Sequence, residues 1–179
     1  YLAESVAQVD RLAAMVNDVL RSGSVAEQAV RQEKRLRIDK LLAEVVEDYM
    51  LLAKTRGMTF TVNTEPTTIR ANRDMMRHVI SNLVSNAVRH GDAGSVIKLT
   101  CDQHELAIEN ACKPLTKQQL QHVFDPFYRS SDGTKQHADS SGIGLYTVKM
   151  LLDAKGLDYE FAPVKHGVRF TVEFTVNAD

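Results

Sequence analysis

The sequence predicts a two-layer α/β sandwich, helices on one face of a mixed sheet, with a separate coiled-coil-type helix ahead of it. Three observations point there. From residue 36 onward, segments of helical period alternate with segments of strand period, and such interleaving builds a sheet covered by helices. Three long helical segments stop at a cation followed by glycine, at Arg56-Gly57, His90-Gly91 and Lys155-Gly156. That pairing suits the negative end of the helix dipole and a glycine C-cap. Residues 1–21 instead carry Leu2, Val6, Val9, Ala13, Val16 and Leu20 at 4-3-4-3-4 spacing, the narrow stripe of a coiled-coil seam.

Taken in order, the seam helix is short enough to be marginal alone and needs a partner helix. Ser22-Gly23-Ser24 breaks it, and a polar, charged stretch runs to Arg35. The domain boundary is placed there, dividing residues 1–34 from 35–179. Asp39 is the expected N-cap of a helix to about Arg56, with Leu42, Val45, Val46, Tyr49 and Leu52 on its buried side. Met58–Val62 and Thr68–Ala71 read as strands. Asn72 is the expected N-cap of a helix reaching His90, and Val96–Cys101 and Leu106–Glu109 read as a hairpin. Thr116-x-x-Gln119 is a capping box for a short helix. Phe124–Ser141 reads as a long loop, Gly142–Lys155 as a helix, and residues 157–163 and 167–176 as closing strands.

Composition excludes several classes. The 179 residues are 44% hydrophobic and 25% charged with a formal net charge of -1, an ordinary globular balance. Basic and acidic residues are mixed throughout, so nucleic acid is not an expected partner. No apolar run approaches bilayer length, so this chain is not expected in the membrane. It opens at Tyr1 within a helical pattern and reads as a piece of a longer protein. Cys101 and Cys112 form neither a CxxC pair nor a zinc pattern, which fits a reducing, cytoplasmic setting.

Chemistry concentrates in three places. Asn82, Asn86 and Arg89 recur at i, i+4 and i+7 on the central helix, apart from the apolar face of Met76, Val79, Ile80, Leu83 and Ala87. Carboxamide oxygens can hold Mg²⁺ while the metal keeps water and phosphate oxygens; Arg89 and His90 can reach the same phosphates. A solvated face with incidental asparagines is the plain alternative. Ser140-Ser141-Gly142-Ile143-Gly144-Leu145 opens a helix after the long loop, where glycine permits close backbone approach and helix amides attract anions. A glycine-rich turn is the alternative there. Phe124-Asp125-Pro126-Phe127-Tyr128-Arg129 begins the loop, and its aromatics by default anchor it to the core.

The order of these motifs is specific. An N-L-x-x-N-A helix, a hairpin, F-x-P-F-Y-R, and G-x-G-L opening a helix together resemble the N, F and G2 boxes of bacterial two-component sensor histidine kinases. The similarity covers Arg35 to Val176, and the preceding seam resembles the second helix of their dimerisation and phosphotransfer domain. The resemblance implies a Bergerat ATP-binding fold of three helices on a mixed, mainly antiparallel sheet, shared with gyrase, MutL and heat-shock chaperone ATPases. It implies ATP and Mg²⁺ as ligands, with Asn86 on the metal and Asn82 its phosphate-side companion. Arg89, His90 and Arg129 would contact phosphate, and Asn110 would read adenine. Phe124 and Phe127 would belong to the nucleotide site, with Gly142, Ile143, Gly144 and Leu145 supplying the phosphate-binding turn. Expected partners are a response regulator, the phosphotransfer domain of the same protein, and a second copy in the full-length homodimer. The expected location is the cytoplasmic side of a bacterial cell membrane.

Departures refine this. ATPase relatives place a general-base glutamate where this chain has Asn82, whose neutral amide cannot accept a proton usefully; a kinase is favoured over an independent ATPase. The adenine-side D-x-G-x-G motif is replaced by Asn110-Ala111-Cys112-Lys113-Pro114, Val168 stands where a threonine is usual, and Ser140 replaces the first glycine of G2. Loss of a charge-assisted bond predicts relaxed adenine selection. His104-Glu105-Leu106 imitates an acceptor-histidine motif but falls in a turn and lacks the following proline, so the acceptor is expected outside this chain. The competing reading is a degenerate nucleotide-binding module that serves as a regulatory or docking surface.

Overall fold

The computed structural model describes residues 32–128 and 142–174. The seam helix, Ser140, Ser141 and Arg129 lie outside the described residues. Among those described, the order is β1 (Lys34–Arg37), α1 (Ile38–Thr55), β2 (Thr59–Thr64), β3 (Thr68–Ala71), α2 (Arg73–His90), β4 (Val96–Cys101), β5 (Glu105–Ala111), α3 (Lys117–His122), α4 (Gly144–Lys155), β6 (Tyr159–Val164) and β7 (Gly167–Glu173).

One strand lies in the stretch read as a polar linker. β1 pairs antiparallel with β3, joining Leu36 to Ile69 in register. A two-stranded ribbon buries one face only, so a single apolar residue in Lys34-Arg35-Leu36-Arg37 suffices and leaves no alternating run.

β1 leads straight into α1, which begins one residue ahead of Asp39. Arg37 occupies the N-cap without a side-chain cap. The expectation of an Asp39 cap is therefore corrected: Asp39 sits in the first turn, accepts from the Thr67 amide at 3.2 Å and takes a bidentate pair from Arg37 at 2.7 and 2.6 Å. Ile38, Leu41, Leu42, Val45 and Val46 are buried as the helical period requires. Leu52 is not: it is 38% exposed, and Ala53 takes the inward position one turn after Tyr49. In α2, Asn72 caps as expected, accepting from the amides of Asp74 and Met75 at 2.9 and 3.1 Å.

The main sheet has the order β2-β4-β5-β7-β6. Only β2 and β4 run parallel; the other neighbours are antiparallel. Its inner face presents Ile97, Leu99, Leu106, Ile108, Phe170 and Val172 to the apolar faces of α1, α2 and α4. Register stacks these by position, with Leu99 opposite Ile108 and Ile108 opposite Phe170. Each such side chain contributes about 1.5–3 kcal/mol when fully buried.

The helix stops divide. Gly57 and Gly156 take left-handed φ of 66° and 72°, as cation-glycine stops should. Gly91 does not: its φ is -69° and ψ 156°. Its role is close packing, since a Cβ there would lie 2.7 Å from the Met58 Cε and 2.6 Å from the Ala87 carbonyl.

Candidate functional site

The site is built where α2, the sheet and the start of α4 meet. The apolar side of α2 is buried through Leu83, Val84, Ala87 and Val88, which leaves Asn82 and Asn86 half-buried along its flank. Asn86 lines an open pocket whose wall includes Leu83, Asn110, Leu145, Val168 and Phe170. Five elements, α2, β5, α4, β6 and β7, thus contribute to one cavity. Asn110 and Val168, the two departures on the adenine side, are direct partners in the β5–β7 register and both face this pocket. Asn110 is 7% exposed and donates from Nδ2 to the Ala111 carbonyl at 3.3 Å. Since a carbonyl only accepts, that bond assigns the amide and leaves Oδ1 as the acceptor.

Asn82 sits beside the beginning of α4. Its Nδ2 donates to the His78 carbonyl at 2.9 Å. A Cβ at Gly144 would come within 3.2 Å of its Oδ1, so the glycine keeps the helix start open against α2. The N-cap residue Ile143 offers no side-chain acceptor of its own, and the positive end of the α4 dipole lies next to the Asn82 carboxamide. The helix begins two residues later than expected because Gly142 adopts φ 71° and Ile143 is the N-cap.

The aromatic motif meets the G-x-G turn through backbone. The Phe127 amide donates to the Gly142 carbonyl at 3.0 Å. Any side chain at Gly142 would strike the Phe127 and Tyr128 backbone at 2.9 Å. Phe127 itself holds φ 65° and is 55% exposed. Phe124 packs edge-on against Tyr159, Phe161 and Phe170 at 5.6, 6.4 and 6.2 Å, which is the anchoring role.

Of the residues singled out from sequence, the pocket therefore gathers Asn86, Asn110 and Leu145, with Asn82 and Gly144 adjoining each other nearby. Phe124, Phe127, Gly142 and Ile143 support it without lining it, and Ile143 is buried at 2% exposure. Arg89 and His90 stand exposed in the last turn of α2, Arg89 donating to Ser85 Oγ at 3.2 Å. Sequence reasoning missed Ile108, Phe161 and Phe170 as lining residues. Their signal was strand alternation, which shows a side chain's face but not its neighbours.

Burial pushes the Cys112 thiol up, with Asp92 adding to the effect, and pushes Cys101 to about 11. A raised thiol carries less of the nucleophilic thiolate at neutral pH. His104 lies in the turn before β5, where Asp102 accepts from its amide at 2.8 Å and from that of Glu105 at 3.0 Å.

The chain matches, over residues 71–178, the family described as histidine kinase-, DNA gyrase B-, and HSP90-like ATPase. It is 32% identical over 173 residues to sensor histidine protein kinase HK06 of Streptococcus pneumoniae, covering 96% of this chain and 39% of that protein. It is 27% identical over 176 residues to sensor histidine kinase CusS of Escherichia coli, covering 96% and 37%. Among solved structures, the histidine kinase AdeS of Acinetobacter baumannii superposes with a TM-score of 0.74 at 19% identity, over 97% of this chain and 82% of that one. The catalytic domain of histidine kinase ThkA superposes at 0.69 and 21% identity, over 80% and 96%. These structures share the α/β arrangement of helices on a mainly antiparallel sheet.

Proposed function

Because the chain belongs to the histidine kinase-, DNA gyrase B- and HSP90-like ATPase family, we propose that it is the ATP-binding kinase unit of a sensor histidine kinase. It donates the γ-phosphoryl group of ATP to a histidine for relay to a response-regulator aspartate. One observation carries the reading: Asn86, Asn110, Leu145 and Val168, drawn from α2, β5, α4 and β7, converge on one pocket. The family match and the sensor-kinase relatives favour this reading over a degenerate docking module.

The lining residues are of the chemical kinds the ligand takes, around a space that must widen to admit a base. Apolar walls from Leu83, Ile108 and Phe161 suit a base, and the Asn110 carboxamide supplies a polar acceptor among them. Gly144 lacks the Cβ that would close the space beside Asn82. ATP with Mg²⁺ supplies the transferable phosphoryl group and the charge that must be neutralised. Asn86 offers a carboxamide oxygen to the metal, the sort of ligand Mg²⁺ takes alongside water and phosphate. Arg89, His90 and Arg129 neutralise phosphate, and the amides opening α4 bind it. Asn82 orders the phosphate side and provides no base for water, so turnover is directed to a histidine rather than to hydrolysis. Catalysis of this kind is positioning plus electrostatics.

The chain spans less than two fifths of CusS and 39% of HK06, so the wider assignment is part of the proposal. It places the division between a phosphotransfer-type helix and the ATP-binding unit at residues 34–35. It also makes this unit the cytoplasmic part of a homodimeric membrane sensor. The partners are the protein's own phosphotransfer domain and a response regulator; the ThkA structure solved in complex with response regulator TrrA, a TM-score of 0.70, supports that choice.

Calorimetric titration with ATP, with and without Mg²⁺, tests the reading. Mg²⁺-dependent binding that collapses in Asn86→Ala is the expected result. Binding of equal strength in that variant overturns the assignment of the metal ligand, and no binding to the wild-type chain overturns the reading as a whole.

A further inference from the structure

The last carbonyls of any helix lack intrahelical partners, and in α2 they are met from outside. The half-buried Arg56 guanidinium, just past α1, donates through Nη1 to the carbonyls of Val88 and Arg89, the latter at 2.5 Å. Its Nη2 donates to the Gly91 carbonyl at 3.0 Å. The contact is returned by the Gly94 amide, which donates to the Arg56 carbonyl at 3.0 Å. From this turn the chain is tied onward: the Asp92 amide donates to the Ala111 carbonyl at 2.8 Å, the same oxygen that accepts from the Asn110 side chain.

We propose that Arg56 is a positioning residue for the nucleotide site: it clamps the last turn of α2, with Asn86, Arg89 and His90 on that end of the helix, against the end of β5 that carries Asn110. The inference rests on the nucleotide reading above. Arg56 is not among the residues lining the pocket, so it acts through backbone alone. Arginine suits the task because its planar fork presents several donors at once, whereas a lysine ammonium meets carbonyls as a point charge. Its cation also complements the negative end of the α2 dipole.

The same two helices supply a control. Arg77, in the first half of α2, bridges to Glu44 and Asp48 of α1 at 3.3 and 2.6 Å and touches no carbonyl of the last turn. If Arg56 merely joined helices, the two arginines would behave alike.

The test compares wild type, Arg56→Ala, Arg56→Lys and Arg77→Ala by three measurements: Mg²⁺-ATP affinity by calorimetry, melting temperature, and amide hydrogen exchange. Arg56→Ala is expected to weaken affinity about tenfold, the size typical of lost supporting contacts behind a metal ligand. Exchange at the Gly91 and Asp92 amides should quicken, while that at Asp74 and Met75 should not. Arg56→Lys should recover part of the affinity, and Arg77→Ala should lower the melting temperature while leaving affinity unchanged. Wild-type affinity in Arg56→Ala overturns the proposal, as does weakened affinity with Gly91 and Asp92 still fully protected. Should the alanine variant fail to fold, Arg56→Lys carries the same criteria at smaller size. A wild-type chain that binds no nucleotide removes the nucleotide reading and the positioning role together. The exchange data then separately report whether Arg56 orders the turn.

Discussion

At Gly167 the neighbouring strand leaves no room for a side chain. A Cβ there would stand 2.0 Å from the Asn110 carbonyl oxygen and 2.8 Å from the Ala111 Cα. Both are backbone atoms of the paired strand, so nothing flexible can yield. Gly167→Ala should cost about 3 kcal/mol or more, the range of overpacked sites, and denaturant unfolding measures it. The same pair of strands carries Asn110, proposed above to read the base. Asn110→Asp restores a charged acceptor, and charged hydrogen bonds exceed neutral ones by about 1 kcal/mol. The preference for ATP over GTP should widen about fivefold, read by parallel titrations; an unchanged ratio would show that Asn110 does not touch the base. A third residue governs acid stability. The side-chain bond from Arg37, together with the Thr67 amide, holds the Asp39 carboxyl down at about 2. A lowered folded-state value stabilises above the unfolded value near 4, and that contribution fades as pH falls from 4 through 2. Asp39→Asn should therefore lose stability at neutral pH, and the gap to wild type should close over that window. A gap independent of pH would refute the assignment.

Caps and stops decide the elements, and they differ in how openly the sequence shows them. Asn72 was legible because its partners are its own next residues, Asp74 and Met75; Thr116 and Gln119 likewise close their box locally. Asp39 was misread because the helix already starts at Ile38, so its carboxylate turns back to Arg37 and across to the Thr67 amide instead of capping. Gly91 was misread because three cation-glycine pairs look alike, yet only Gly57 and Gly156 turn left-handed. Substitution separates the two kinds of glycine. Gly156→Ala meets nothing within 4 Å and should lose only the left-handed backbone penalty, about 1 kcal/mol. Gly91→Ala meets no such penalty at φ -69° but must displace Met58 and the end of α2, and should lose more stability and some Mg²⁺-ATP affinity. Equal losses in thermal unfolding would contradict this distinction. Asn72→Ala should cost about 1 kcal/mol, the usual worth of an N-cap.

Across the whole molecule, helix faces and the order of layers were readable because period and burial coincide: Val79, Ile80, Leu83 and Ala87 all face inward as spaced. The pocket was readable only in part. Asn86 and Asn110 announce themselves by residue type, whereas Phe161 and Phe170 reach the same cavity through the β6–β7 register, a pairing no single strand encodes. That same sheet contains one parallel neighbour among antiparallel ones, and it bears on the order of folding. The β4–β5 and β6–β7 pairs are hairpins whose contacts close short stretches of chain, whereas β2 reaches β4 only after the chain has passed through β3 and all of α2. Long closures are entropically slower to form than hairpins. By the same measure the longest closure in the sheet is β5–β7, which joins Glu105 to Glu173 after the chain has passed through α3, α4 and β6, so the β6–β7 hairpin is the last piece expected to dock during refolding. Asn110, Val168 and Phe170 face the cavity from that very pair, so a refolding chain is expected to acquire this pocket only as its sheet closes.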